Sequence, residues 1–201
     1  WTSADTSVAI VDSSGRITAL KAGTTTIKAA ARDNSKKASY CVVYVIKAVP
    51  ATTVTVSQKD MTLVRGGTGN VAVAVQPSNS TDSVTYASDN KSVAMVSSNG
   101  RVTAKKAGMA TITITTTSGK QTTVNVTVVG LNETSITMEQ YDTRTLWVDG
   151  VKTGVNWYSL DPSIATVKSG TIVARKSGTT IIYATINGIK LACRVRVKDI
   201  S

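Results

Sequence analysis

Residues able to do bond-making chemistry are scarce in this 201-residue chain, and one absence decides most of the argument. There is no histidine. That removes Ser-His-Asp and Cys-His activation of a nucleophile, and most zinc sites, because each needs an imidazole as base or ligand. Two cysteines, Cys41 and Cys193, stand far apart in the sequence with no ligand cluster around either. Of 12 acidic residues only Glu133 and Glu139 are glutamates, and the aspartates are scattered, mostly in loop-like segments. Glu133, Asp142 and Asp149 could be considered for calcium, but their spacing matches no calcium loop. Gly66, Gly67 and Gly69 mark a glycine-rich loop, yet no Gly-Lys-Ser/Thr follows to cradle a phosphate. The expectation is a chain that is not an enzyme, with no catalytic residue, no metal and no cofactor.

The residues suited to binding are apolar and aromatic. Tyr40, Val42 and Tyr44 fall at alternate positions, so in a strand they share one face. Trp147 stands between Leu146 and Val148. If those two face inward, alternation turns Trp147 outward, as a contact at a domain joint or as a binding anchor. Trp1, Tyr86 and Trp157 are expected in cores, the role an aromatic on a central strand of a sandwich usually takes.

These residues sit in a sequence that repeats itself. Gly15-Arg16-Ile17-Thr18-Ala19-Leu20-Lys21-Ala22-Gly23 recurs as Gly100-Arg101-Val102-Thr103-Ala104-Lys105-Lys106-Ala107-Gly108 and, more loosely, as Gly170-Thr171-Ile172-Val173-Ala174-Arg175-Lys176-Ser177-Gly178. A fixed repeat indicates one small structural unit used several times. Upstream, Trp1, Tyr86 and Trp157 share one repeat position, and Asp5, Asn90 and Asp161 another. A polar residue recurring in this way caps a turn more readily than it performs acid–base chemistry. Each copy ends in an alternating run. The inward set of these runs should be Cys41, Val43 and Val45, then Val124, Val126 and Val128, then Cys193, Val195 and Val197.

The second copy shows the full series of strands, near 53–56, 61–64, 71–75, 84–87, 93–97, 101–104, 110–116 and 121–128. Turn-formers such as Gln76-Pro77-Ser78-Asn79 and Ser118-Gly119 separate them. Frequent short strands rich in Thr and Val predict an all-β antiparallel sandwich, with no long amphipathic helix. The order aromatic, Ser, Asp or Asn, Ser-Val-Ala-x-Val, then Gly-x-Val-Thr-Ala-x-x-x-Gly, then a closing Val-x-Val strand resembles the bacterial immunoglobulin-like domain, group 2 family. It does so three times over nearly the whole chain. The resemblance implies tandem Ig-like sandwiches of the kind found in bacterial surface adhesins such as intimin and invasin, and in phage virion proteins. It carries no catalytic residue. A cysteine heading the last strand also fits the family pattern at Cys41 and Cys193.

The repeats place domains at 1–49, 50–129 and 130–201, joined by short segments that limit swinging. The third is short between Ile136 and Trp157, where 141–148 replaces a longer segment of the second. The first opens partway through the fold, without counterparts of 54–75. It is therefore expected to be incomplete at its N-terminal side, and to be completed by a protein partner or by a preceding segment of its own chain. Its outward face at Tyr40, Val42 and Tyr44 contrasts with Thr123, Asn125 and Thr127 in the second repeat, and with Ala192, Arg194 and Arg196 in the third. Apolar residues on a face that should meet water imply a covering partner.

The formal charge is +11, from 23 Lys plus Arg against 12 Asp plus Glu. Spread over all three repeats, it reads either as a solvated, edge-protecting surface or as attraction to an anionic surface polymer or capsid. Nucleic acid is not expected, because the basic residues form no compact block interleaved with aromatics. Cys41 and Cys193 occupy equivalent positions in repeats separated by a third, too far apart for a disulfide. Both are expected to be buried free thiols. No apolar run is long enough for a membrane span. The functional expectation is a non-enzymatic structural or adhesive module, a stalk or a binding unit, of an extracellular bacterial cell-surface protein. The alternatives are a phage virion component, and an accessory glycan-binding module of a larger secreted enzyme.

Overall fold

The computed structural model describes residues 1–33 and 36–199, and among them every regular element is a strand. The first repeat supplies β1 (Thr2–Ser3), β2 (Ala9–Val11), β3 (Ile17–Ala19), β4 (Gly23–Ala30) and β5 (Ala38–Val45). The second supplies β6 (Thr53–Val56), β7 (Asp60–Val64), β8 (Thr68–Asn70), β9 (Val73–Gln76), β10 (Val84–Ser88), β11 (Ala94–Val96), β12 (Arg101–Ala104), β13 (Gly108–Thr116) and β14 (Gln121–Leu131). The third supplies β15 (Ser135–Glu139), β16 (Thr143–Thr145), β17 (Val148–Asp149), β18 (Asn156–Ser159), β19 (Ala165–Lys168), β20 (Thr171–Ala174), β21 (Gly178–Ile186) and β22 (Ile189–Lys198). The chain divides into two compact units. One holds Trp1–Pro50 and Asn79–Thr81; the other holds Ala51–Ser78 and everything from Asp82 onward.

In the second unit each repeat packs sheets around its own apolar core. One core gathers Ile112, Ile114, Val102, Val124, Val126 and Val128. The other gathers Leu146, Ile172, Ile182, Cys193, Val195 and Val197. Strict alternation makes this possible: β22 buries every second side chain and exposes the rest. The main sheets run β10-β13-β14 and β18-β21-β22 through antiparallel pairs. The expectation of purely antiparallel pairing needs one correction. β7 lies parallel to β14, and β15 lies parallel to β22. In both repeats the strand along the outer side of the closing strand runs in the same direction as it does.

The repeated glycines have a physical reason. Gly100 adopts φ +78°, and a Cβ there would meet the Tyr86 ring at 3.1 Å. Gly15 stands in the same relation to Trp1. Gly170, at φ +83°, lies against both Trp157 and the Leu146 carbonyl. A left-handed backbone and a ring pressed on the Cα together leave room for hydrogen alone. The aromatic position is thus a lid on the motif glycine rather than a core position. Tyr86 and Trp157 are half-buried at the margins of their cores, and Trp1 is exposed.

The first unit is thinner. β1-β4-β5 form one antiparallel sheet and β2-β3 a second. Val8, Ala9, Thr25 and Ile27 are buried between them. Here the expected burial of Cys41 is overturned: Cys41 is exposed, with Val43 and Val45 only half-buried. Its counterpart Cys193 is fully buried. Alternation does point Cys41 to the inner side of β5. The two short strands β2 and β3 cover Ile27 beside it but leave that side of β5 open.

Candidate functional site

Tyr40, Val42 and Tyr44 project together from the outer face of β5, with relative exposures of 67%, 53% and 74%. Register sets Lys28 opposite Tyr40, Thr26 opposite Val42 and Thr24 opposite Tyr44. The Lys28 ammonium stands 5.9 Å from the Tyr40 ring centre, within cation–π range. β5 pairs with β4 on one side, and among the described residues no strand pairs with its other side. That is the side taken by β7 on β14 and by β15 on β22. The face and the free backbone edge are therefore adjacent.

Trp147 belongs to the second unit. Leu146 and Val148 are buried on either side of it in sequence, and the indole is 54% exposed. Its backbone is fixed at the joint between the second and third repeats. Its N–H donates to Asn132 Oδ1 at 2.8 Å, and its carbonyl accepts from the Asn132 N–H at 3.1 Å. The indole N–H donates to Asp149 Oδ1 at 2.9 Å, which sets the ring's orientation. An open groove of about 730 Å³ runs past it, lined by Met109 and Thr127 of the second repeat and by Lys152, Thr153 and Asn187 of the third. The ring is both a joint residue and an accessible apolar surface.

The joint itself is a strand. β14 continues out of the second core and pairs Gly130 and Leu131 with Asp149 and Val148 of β17. Arg65 N–H donates to the Val129 carbonyl at 2.8 Å, and Asn187 Nδ2 donates to Thr62 Oγ1 at 3.3 Å. Backbone hydrogen bonds thus bind the segment that reads in sequence as a short linker.

The acidic residues are occupied by local tasks. Asp5 Oδ1 accepts from the Ser7 N–H and hydroxyl at 2.9 and 2.6 Å, and Asp161 does the same for Ser163 at 2.9 and 2.7 Å. These bonds, the serine hydroxyl first, hold both carboxyls below the usual aspartate range. Asn90 accepts from the Ser92 hydroxyl at the matching place. Glu133 pairs with Arg144 at 3.6 Å, Asp142 accepts the Glu139 N–H, and Asp149 holds Trp147. Among the described residues no three His, Cys, Asp or Glu converge as metal ligands. Burial, then the charge of Glu133, pushes the Cys193 thiol up to about 11.

One cluster was not singled out from sequence. Tyr158 and Tyr183 lie opposite each other on β18 and β21, with ring centres 5.0 Å apart. Lys190 of β22 places its ammonium 3.7 Å from the Tyr183 ring centre. The signal available was the outward position of each residue in its alternating run; the pairing needs the register.

The description of the bacterial Ig-like domain (group 2) family matches residues 1–42 and 50–128. The chain belongs to this family. An uncharacterized protein of Clostridium acetobutylicum is 36% identical over 121 residues, which is 60% of this chain. The chain spans 12% of that relative's length. Among solved structures, the C-terminal fragment of intimin, in complex with the intimin-binding domain of its translocated receptor, is similar over 74% of this chain and 64% of its own. The identity is 16% and the TM-score 0.46. Domains 4–9 of the surface layer protein SbsC are similar over 100% of this chain and 39% of that one, at 19% identity and a TM-score of 0.36. Among the described residues no helix is long and apolar enough to cross a membrane.

Proposed function

We propose that this Ig-like chain is a non-enzymatic spacer and adhesive module of an extracellular bacterial cell-surface protein. Three domains, 1–49, 50–129 and 130–201, act as its units. The observation that carries the spacer reading is β14, one strand that closes the second repeat and pairs into the third. A spacer must transmit position, so its joints must resist bending. A hydrogen-bonded strand does so where a Gly/Ser tether does not. Family membership supports the surface location. The adhesive part rests on Tyr40, Val42 and Tyr44, which form an exposed apolar face beside a strand edge that is unpaired among the described residues. Such an edge accepts a strand from a protein partner, and the tyrosines supply contact area. Trp147 serves as a second anchor, its ring already oriented by Asp149.

Residual dipolar couplings measured on the whole chain test the spacer reading. The second and third repeats should share one alignment tensor. Inserting Gly-Ser-Gly-Ser between Gly130 and Leu131 should give each its own. Two independent tensors in the unaltered chain would end the reading.

A further inference from the structure

The outer face of the third repeat carries a charge pattern that its fold does not require. Alternation along β22 turns Leu191, Cys193, Val195 and Val197 inward and Lys190, Ala192, Arg194, Arg196 and Lys198 outward. Alternate residues of a strand stand about 7 Å apart, so Arg194, Arg196 and Lys198 form a regular row of cations. Charges on a strand commonly guard a free edge against unwanted pairing. That explanation fails here, because β22 is interior, paired with β15 on one side and β21 on the other. Arg194 faces Ser135 and Ile181 across the sheet, and Arg196 faces Thr137 and Thr179. Glu139 is the carboxylate opposite Lys198, yet among the described residues no carboxylate comes within 4.0 Å of any of the three cations. Like charges two apart with no counter-charge repel one another. The second repeat avoids this by placing Thr123, Asn125 and Thr127 on the same face of β14.

At the other end of the row stands the tyrosine cluster. Tyr158 and Tyr183 stack at 28° between planes, and the Lys190 ammonium sits 5.4 Å from the Tyr158 ring centre and 3.7 Å from that of Tyr183. Interaction with the Tyr158 hydroxyl raises the Lys190 pKa above its ordinary value. Tyr158 remains 41% exposed, with Leu160 beside it at 62%. The face therefore combines an accessible ring, an immobilised ammonium and a row of guanidinium and ammonium groups.

We propose that this face binds a linear anionic polysaccharide. Its carboxylates pair with Arg194, Arg196 and Lys198, and the apolar face of a sugar ring lies against Tyr158. A guanidinium takes a carboxylate through two parallel hydrogen bonds, and a regular row of cations suits a polymer with one anion per repeating sugar. A single nucleic-acid strand fits less well. Successive bases need a ring each, and here Tyr183 is covered by Tyr158 and Lys190, which leaves Tyr158 alone accessible. The choice of a glycan rests on the surface location proposed above; the geometry of the face does not.

The test measures binding of the whole chain to polygalacturonate, to neutral pullulan and to single-stranded oligo-dT, over a range of salt. The variant Arg194→Asn/Arg196→Thr grafts the second repeat's own residues onto this face, so the strand keeps its fold. It should weaken polygalacturonate binding by at least about tenfold, since charge-assisted bonds are the strong ones. Tyr158→Ser, which leaves the charge unchanged, should weaken it several-fold. Pullulan should not bind. Equal binding by the double variant would overturn the proposal. So would Tyr158→Ser without effect together with oligo-dT binding as tight as polygalacturonate, which would mark a general polyelectrolyte effect. Neither variant touches the joint at Gly130 and Leu131, so failure here leaves the spacer reading to its own experiment.

Discussion

Gly170→Ala and Gly188→Ala make a matched pair within one repeat. Both glycines have positive φ, +83° and +76°. An alanine in that region costs about 1–2 kcal/mol from its Cβ against its own backbone. Gly188 sits in the hairpin between β21 and β22, and nothing lies within 4 Å of a Cβ added there. Its cost should stop at that figure. At Gly170 the added Cβ would fall on the Leu146 carbonyl oxygen. A carbonyl cannot swing aside as a side chain can. The Leu146 segment must shift, which strains the 2.8 Å bond from Leu146 N–H to the Gly170 carbonyl and displaces a side chain only 1% exposed. Overpacking of this kind adds about 1–3 kcal/mol, and a weakened hydrogen bond about 1 more. The expected losses are therefore about 3–6 kcal/mol for Gly170→Ala and about 1–2 kcal/mol for Gly188→Ala. Amide hydrogen exchange in β21, at Ile182 and Ala184, reads the loss in this repeat alone. A chain of several sandwiches need not unfold in one step, so a global melt would blur it. Equal losses for the two variants would show that backbone conformation alone selects glycine, and that its close packing contributes nothing.

Thiol labelling at pH 8 should modify Cys41 quickly and Cys193 slowly. Cys41 is exposed, whereas Cys193 is buried with its pKa near 11, which leaves about one thiol in a thousand ionised at that pH. Peptide mapping of the label checks this, and equal rates would contradict the burial difference. Asp5 and Asp161 have folded pKa values below their ordinary 3.8. Their stabilisation is complete above that value and is lost as pH falls through the lower folded pKa. Thermal melts should therefore weaken below about pH 4, and Asp161→Asn should flatten that slope; an unchanged slope would assign the acid sensitivity elsewhere. Tyr40→Thr/Tyr44→Thr should reduce self-association or partner binding in sedimentation, with hydrogen exchange in β13 and β21 unchanged. Undiminished association would remove that face from the adhesive reading.

The sequence by itself determined the elements whose cause is local. Alternating Val-x-Val runs made β14 and β22, because a period of two puts one face in and one face out whatever lies beyond. The glycine pair at eight-residue spacing marked the repeating unit. The polar position shared by Asp5, Asn90 and Asp161 marked a capped turn. The exposure of Trp147 followed from the same alternation at Leu146 and Val148. What the tertiary structure decided depends on neighbours distant in sequence. Thr68-Gly69-Asn70 reads as loop and becomes β8 only because β12 lies alongside it. The parallel placement of β7 and β15 is set by which side of the closing strand is free, and no single segment records that. The stacking of Tyr158 on Tyr183 needed a register linking positions 25 residues apart. Cys41 and Cys193 share a repeat position and a strand direction, yet one is exposed and the other buried. Alternation tells a side chain which face to take, and only the layer packed against that face makes it an interior.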